Sequence, residues 1–324
     1  MEIQTAPSVA RRPITGVRRR SDRVFRGAIA VGALASLGIL ALIGGFLLFR
    51  GLEIFSDFGL GFLTSPVWDA GDVNDPTTAR FGIAAMLVGS VVIATIAVVV
   101  AVPFAMSAAL FIEYYAPRFL RTFLTSVLDL VAAVPSVIWG IWGYTVLMPQ
   151  VEGWAKTLNH WLGWFPLFSV PAPIFGRSPF VAGLLLAMMI LPIVTSVARE
   201  VYGQAPRDHV AAAYALGGTR WGALRTVVIP FGRSGLVGGA MLGLGRALGE
   251  TVAVYLVLNL VFKVNLQILA SAGGNVASLI ATRFGEASPY EIKALMAAGL
   301  VLFLVTLLVN AAATAVVKRA KVAV

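Results

Sequence analysis

The run Gly243-Leu-Gly-Arg-Ala-Leu-Gly-Glu-Thr251 places an arginine and a glutamate, Arg246 and Glu250, inside a strongly apolar stretch. Spaced four apart, the two side chains fall on one face of a helix. The arginine fork of N–H donors matches the oxygens of an oxyanion. The carboxylate can neutralise that fork when no anion is present. A charge at bilayer depth costs about 2.5–3.5 kcal/mol on insertion scales, so such residues face a partner, a cavity or a solute path. Two readings follow from the residues alone. One is an ion pair that neutralises itself; the other is an exchange site that holds an anion weakly enough to release it. Asp129, in another apolar stretch, is a further expected buried acid, serving structure through hydrogen bonds or lining the path or gate.

The elements that position these charges are membrane helices. Of 324 residues, 59% are hydrophobic and 12% charged, against about 25% charged in soluble domains. Mean hydropathy is +0.88. The absence of cysteine excludes disulfides and thiolate chemistry, and with only two histidines, His160 and His209, far apart in the chain, no histidine metal centre is expected. About 20 apolar residues cross the bilayer core as a helix. Six segments meet this, at 27–49, 81–112, 122–148, 179–200, 235–262 and 294–317, the third and fifth only with Asp129 and the Arg246/Glu250 pair inside them. The expected fold class is therefore an all-α polytopic membrane protein. The first run is too long for a signal-peptide core and reads as a retained helix. Residues 1–26 read as a mostly disordered basic tail. Pro103, Pro135 and Pro192 each remove a backbone donor and bend their helices. Gly235, Gly239 and Gly243, with Gly245 and Gly249, form small-residue rows that favour close helix packing.

Lysine and arginine set the orientation. With both termini inside, 17 of the 25 fall on the inner side and 7 on the outer. Net charge of +10 thus sorts by membrane side, which argues against nucleic acid. The outer loops are 50–80 and 149–178; the second carries Trp154, Trp161, Trp164 and a proline-rich stretch, and reads as an interface cap or a dock. The inner loop 201–234 reads as a helix capped by Asp208 and ended by Gly217-Gly218, then a second short helix capped by Thr219 and ending before Pro230. The first is apolar yet exposed, which calls for a partner groove.

Ala212-Ala213, Gly217 and Val227-Val-Ile-Pro230 have the spacing of the coupling loop of ABC-importer permeases, with Ala211 where that family usually has glutamate. Phe81-Gly82, Ala132-Ala-Val-Pro-Ser136, Trp139-Gly140, Pro206 and Ala215–Trp221, together with the Arg246/Glu250 run, resemble the phosphate-importer permeases. Gly249–Val254, Ala277–Ala281 and Phe284–Ala287 resemble the PstC type rather than the PstA type. The resemblance spans about residues 23–320. It implies a type I ABC importer permease fold and a substrate path through Arg246 and Glu250; Asp129 and Ser136 are further path or gate candidates. It makes Ala211, Ala212, Ala213, Gly217 and Pro230 the ATPase coupling loop. The implied partners are a PstA-like permease, two PstB-like ATPase subunits and an external PstS-like phosphate-binding protein. A P-loop needs Gly-Lys-Ser/Thr; none of the five lysines follows a glycine, so ATP hydrolysis is expected from another chain. No catalytic constellation, metal or cofactor is expected. The alternatives are the same permease carrying sulfate or molybdate, or an ion-coupled transporter or channel.

Overall fold

A computed structural model describes residues 20–72 and 75–322. It is nearly all helix. The first helix, α1 (Arg20–Phe58), starts seven residues before the expected span, so residues 20–26, expected to lack structure, are helical. Residues 1–19 of the expected tail lie outside the described residues. Residues 23–43 of α1 are exposed and almost wholly apolar after Arg26, the surface of a helix that meets lipid rather than water.

From Leu47 onward the chain forms one compact unit. Its centre is a pair of long helices, α2 (Ala84–Tyr115) and α5 (Pro179–Gly203). On α2 the alanines 97, 101, 105 and 109 recur every four residues and are fully buried. Such a row has no bulk beyond Cβ, which lets the partner backbone approach. Gly183 of α5 does the same from the other side, where an added Cβ would stand 2.5 Å from Ile96. Both helices run on through their internal prolines, Pro103 and Pro192.

Between them the expected third span, 122–148, is not one helix. It is α3 (Arg118–Ala132) and α4 (Ser136–Leu162), bent by 93° at Ala133-Val134-Pro135. Pro135 has no N–H to donate, and it disfavours helical backbone at Val134 before it. The C-terminal half of α4 carries Trp154 and Trp161, both exposed, and Trp164 follows it.

A short helix, α6 (Arg207–Ala215), leads into α7 (Arg220–Gly249). Here the structure corrects the expectation of a separate second helix ending before Pro230. One π turn at Leu224–Val228 shifts the hydrogen-bond register just ahead of Pro230, and the helix continues. A π turn is a common way for a helix to absorb a missing donor. The expected fifth span, 235–262, is also broken. The helix stops at Gly249, a short α8 (Val252–Val257) follows, and residues 258–275 are non-helical before α9 (Val276–Arg283) and α10 (Pro289–Val322).

A second core joins the end of α1 to α9 and α10. Ile54, Phe62, Phe81, Ile83, Met86, Val276, Leu279 and Ala294 are buried together. Two short antiparallel strands, β1 (Trp68–Asp69) and β2 (Arg80–Phe81), pair Trp68 with Phe81. The Trp68 indole N–H donates to Glu291 Oε1 at 2.8 Å, which satisfies a buried carboxylate.

Candidate functional site

Arg246 and Glu250 do not share a helix face. Arg246 occupies the last turn of α7, where the helix dipole favours a cation. Glu250 lies one residue past the helix end with extended backbone (φ −69°, ψ 127°). That turn carries its carboxylate away from Arg246 and toward α8. Glu250 Oε1 accepts from the Ala253 N–H at 3.4 Å and so caps the start of α8. Among the described residues no carboxylate lies within ion-pair distance of Arg246. The expected self-neutralising pair is therefore not formed in this conformation.

Glu250 is 8% exposed, and its position is fixed from behind. Asn275 Nδ2 donates to the Glu250 carbonyl at 2.6 Å. Asn275 itself is locked by a reciprocal cap with Ser278 at the start of α9. The Val276 N–H in turn donates to Ser90 Oγ of α2 at 3.0 Å. Asn275, Ser278 and Ser90 are all buried. A buried polar chain whose members are each satisfied holds its backbone rigidly. Close approach here requires glycine: Gly273 and Gly274 have φ of 150° and 153°, and a Cβ on Gly89 would stand 2.0 Å from the Gly274 oxygen. These three polar residues were not singled out from the sequence. Their signal was Asn-Val-Ala-Ser, which reads as a helix cap once the chain is known to leave the membrane helix at Glu250.

Arg246 faces outward into a groove of about 470 Å³ lined by Ser234, Gly238, Gly245, Asn310 and Thr314. The glycine rows divide by face. Gly235, Gly239 and Gly243 pack on Val201, Val197 and Val194 of α5 in the same chain. An added Cβ at Gly238, Gly245 or Gly249 would meet open space.

Ser136 opens α4, directly after the Pro135 break, and is half-buried. Gly140, one turn on, lies against α8, where a Cβ would stand 2.6 Å from Leu256 and 3.0 Å from the Ala253 Cα. The helix broken at Pro135 and the helix broken at Glu250 are thus in direct contact. Discontinuous helices meeting in this way are a recurring design for solute sites in transporters. Asp129 is exposed rather than buried and lines a different groove, with Glu113, Arg121, Arg199, Glu200 and Arg207. Within that groove Arg121 pairs with Glu113, and Arg199 donates to Thr125. The structure therefore brings Ser136 near the segment held by Glu250, and leaves Asp129 with the far ends of α2, α3 and α5.

Ala211, Ala212 and Ala213 lie on α6, the first two of them exposed. The helix starts after Pro206, and Asp208 sits in its first turn without a capping bond, a correction to the expected cap. Its end is a double cap. The Gly217 N–H donates to Tyr214 O at 2.9 Å and the Gly218 N–H to Ala213 O at 3.0 Å, with Gly217 left-handed at φ 82°. Thr219 Oγ1 accepts from the Gly222 N–H at 3.1 Å and starts α7. Leu216 at the turn is 90% exposed, beside exposed Tyr214 and Trp221. Pro230 lies inside α7.

The comparisons with known proteins agree with this arrangement. Residues 101–322 match the family model described as binding-protein-dependent transport system inner membrane component. The chain is 43% identical over 302 residues to phosphate transport system permease protein PstC 2 of Mycobacterium tuberculosis, covering 92% of each chain. It is 37% identical over 292 residues to phosphate transport system permease protein PstC of Pasteurella multocida, covering 89% of each. The fold is similar to a chain of the MetNI methionine ABC transporter in inward-facing conformations, with a TM-score of 0.51 at 16% identity, covering 74% of this chain and 94% of that one. A two-helix joint at Pro135, an exposed capped turn at Gly217 and a charged break at Glu250 are what this sequence builds, and the chain belongs to the binding-protein-dependent transport inner membrane components, within them to the PstC-type permeases.

Proposed function

We propose that this chain is the permease subunit of an ATP-driven importer that passes inorganic phosphate from an external binding protein into the cytoplasm. Its termini lie inside, as the lysine and arginine bias favours. Its companions are a PstA-like permease, two PstB-like ATPases and a PstS-like phosphate-binding protein. The similar permeases of Mycobacterium tuberculosis and Pasteurella multocida are phosphate transport permeases, and this supports the cargo.

The observation that carries the mechanism is the unpaired guanidinium of Arg246 at the end of α7. An arginine without an acid partner recruits an anion, and its fork suits a tetrahedral oxyanion. Glu250 stands just past it on a rigid segment and adds a fixed negative field. Together they give a site that a dianion enters but does not occupy for long, which is the requirement for conduction. At the other end of α7 is the exposed turn at Gly217. Docking of an ATPase on α6 and on Leu216 therefore acts on the same continuous helix that carries Arg246. Ser136, one turn before the contact of Gly140 with α8, belongs to the path; Asp129, in its separate groove, belongs to the inner side.

Uptake by the complete complex in vesicles, driven by binding protein loaded in turn with phosphate, sulfate or molybdate, tests this reading. Phosphate uptake that requires ATP is expected. Preferential uptake of sulfate or molybdate refutes the cargo, and uptake without the ATPase refutes the ATP-driven mechanism.

A further inference from the structure

A second cationic pocket lies apart from the Arg246 groove. It encloses about 420 Å³ and is lined by Arg177, Tyr255, Asn259, Thr282, Arg283 and Glu286. Arg177 precedes α5 and Arg283 ends α9, so only the fold brings them together. Arg177 has φ 50°, and it is the one non-glycine residue at positive φ among the described residues. That conformation is sterically strained and persists where surrounding structure imposes it, often at functional sites. Its guanidinium donates to Asn259 Oδ1 and lies 5.1 Å from the centre of the Tyr144 ring. One edge of the fork is thereby used for positioning, and the remaining N–H donors are left for another acceptor. Among the described residues neither Arg177 nor Arg283 has a carboxylate within ion-pair distance, although Glu286 lines the same pocket. The wall that carries Tyr255 and Asn259 is α8 and its continuation, the segment whose start Glu250 caps.

We propose that this pocket is an anion-receiving vestibule, in which a free oxyanion released by the external binding protein rests before it reaches Arg246. The inference rests on the phosphate reading and on the termini lying inside, which puts Arg177 and Arg283 on the outer side. Two unpaired arginines over a low-dielectric wall concentrate an anion at the mouth of the path. Glu286 tempers that attraction as Glu250 does further in.

The test uses the complete complex in vesicles with inorganic phosphate carried by its binding protein, reading two quantities. These are the maximal uptake rate and the concentration of loaded binding protein that half-stimulates the ATPase. The Arg283 side chain makes no hydrogen bond or ion pair among the described residues, so Arg283→Gln leaves folding unchanged and is the cleaner variant; Arg177→Gln follows. Each is expected to lower uptake about tenfold, as loss of one charged hydrogen-bond partner does, with ATPase half-stimulation unmoved. Glu286→Gln is expected to raise uptake, an opposite sign that a merely structural role does not produce. Unchanged uptake in Arg283→Gln overturns the vestibule, including the case in which the pocket instead holds a lipid phosphate and the variant alters only retained lipid. A shift in ATPase half-stimulation overturns it too, making the arginines a protein dock. A wild-type complex that imports sulfate and not phosphate refutes the functional reading instead, and the same variants are then read with sulfate.

Discussion

At the scale of single residues, Arg246 and Glu250 do different work. Among the described residues Arg246 is a cation without an acid partner, and Glu250 is a buried acid spent on capping α8. Arg246→Ala is expected to abolish phosphate uptake while the complex still assembles; full uptake by an assembled variant refutes its place in the path. Arg246→Lys keeps the charge and loses the planar fork, so uptake falls by about tenfold or more rather than to zero. Asn275→Ala removes the donor to the Glu250 carbonyl and leaves a buried acceptor unpaired. Its cost is about 1–3 kcal/mol, seen as lowered thermal stability of the purified complex. Arg246 was legible as a candidate from one sequence, because an arginine among apolar residues marks itself. The roles of Asn275, Ser278 and Ser90 were not, because polar residues in a loop look ordinary until the fold buries them. Asp129 misled for the converse reason: an acid in an apolar run is expected inside, yet its helix turns that face to an open groove.

At the scale of elements, two breaks and one continuity set the mechanism. Pro135 breaks a helix that hydropathy alone reads as whole, since composition counts apolar residues and not missing donors. Gly249-Glu250 breaks another, where the Asn275 network holds the chain extended. The continuity is α7, which runs from the Thr219 cap to Gly249 through Pro230. Because the turn at Gly217 is left-handed, Gly217→Val forces a branched side chain into a conformation that costs roughly 1–2 kcal/mol. ATP hydrolysis that persists while uptake drops at least several-fold is the expected outcome; tight coupling in this variant counts against docking at α6. The capping pattern around Gly217 and Thr219 was readable in advance because caps are local. Whether the second helix stops at Pro230 was not, because a single π turn decides it.

At the scale of the whole molecule, one helix shows two glycine faces with different duties. Gly235 meets Val201 at 2.3 Å from an ideal Cβ, so Gly235→Leu overpacks the α5–α7 contact and destabilises the chain itself by about 1–3 kcal/mol. Gly245 faces open space, so Gly245→Leu leaves the chain folded and instead weakens assembly with the companion permease. Co-purification of the two permeases separates the cases: the Gly235 variant loses yield of both, the Gly245 variant loses only the partner. From residue order alone came several membrane crossings, a capped exposed turn, and the choice of Arg246 and Glu250 as candidate site residues. Those conclusions rest on residue type and near-neighbour spacing, which are local quantities. The tertiary structure alone decided that Arg246 stands unpaired, that Glu250 is held by a helix from elsewhere in the chain, and that Arg177 and Arg283 share a pocket. These depend on which segments meet across long separations. Two helix breaks set the meetings, and a hydrogen-bond network holds them; neither feature alters hydropathy.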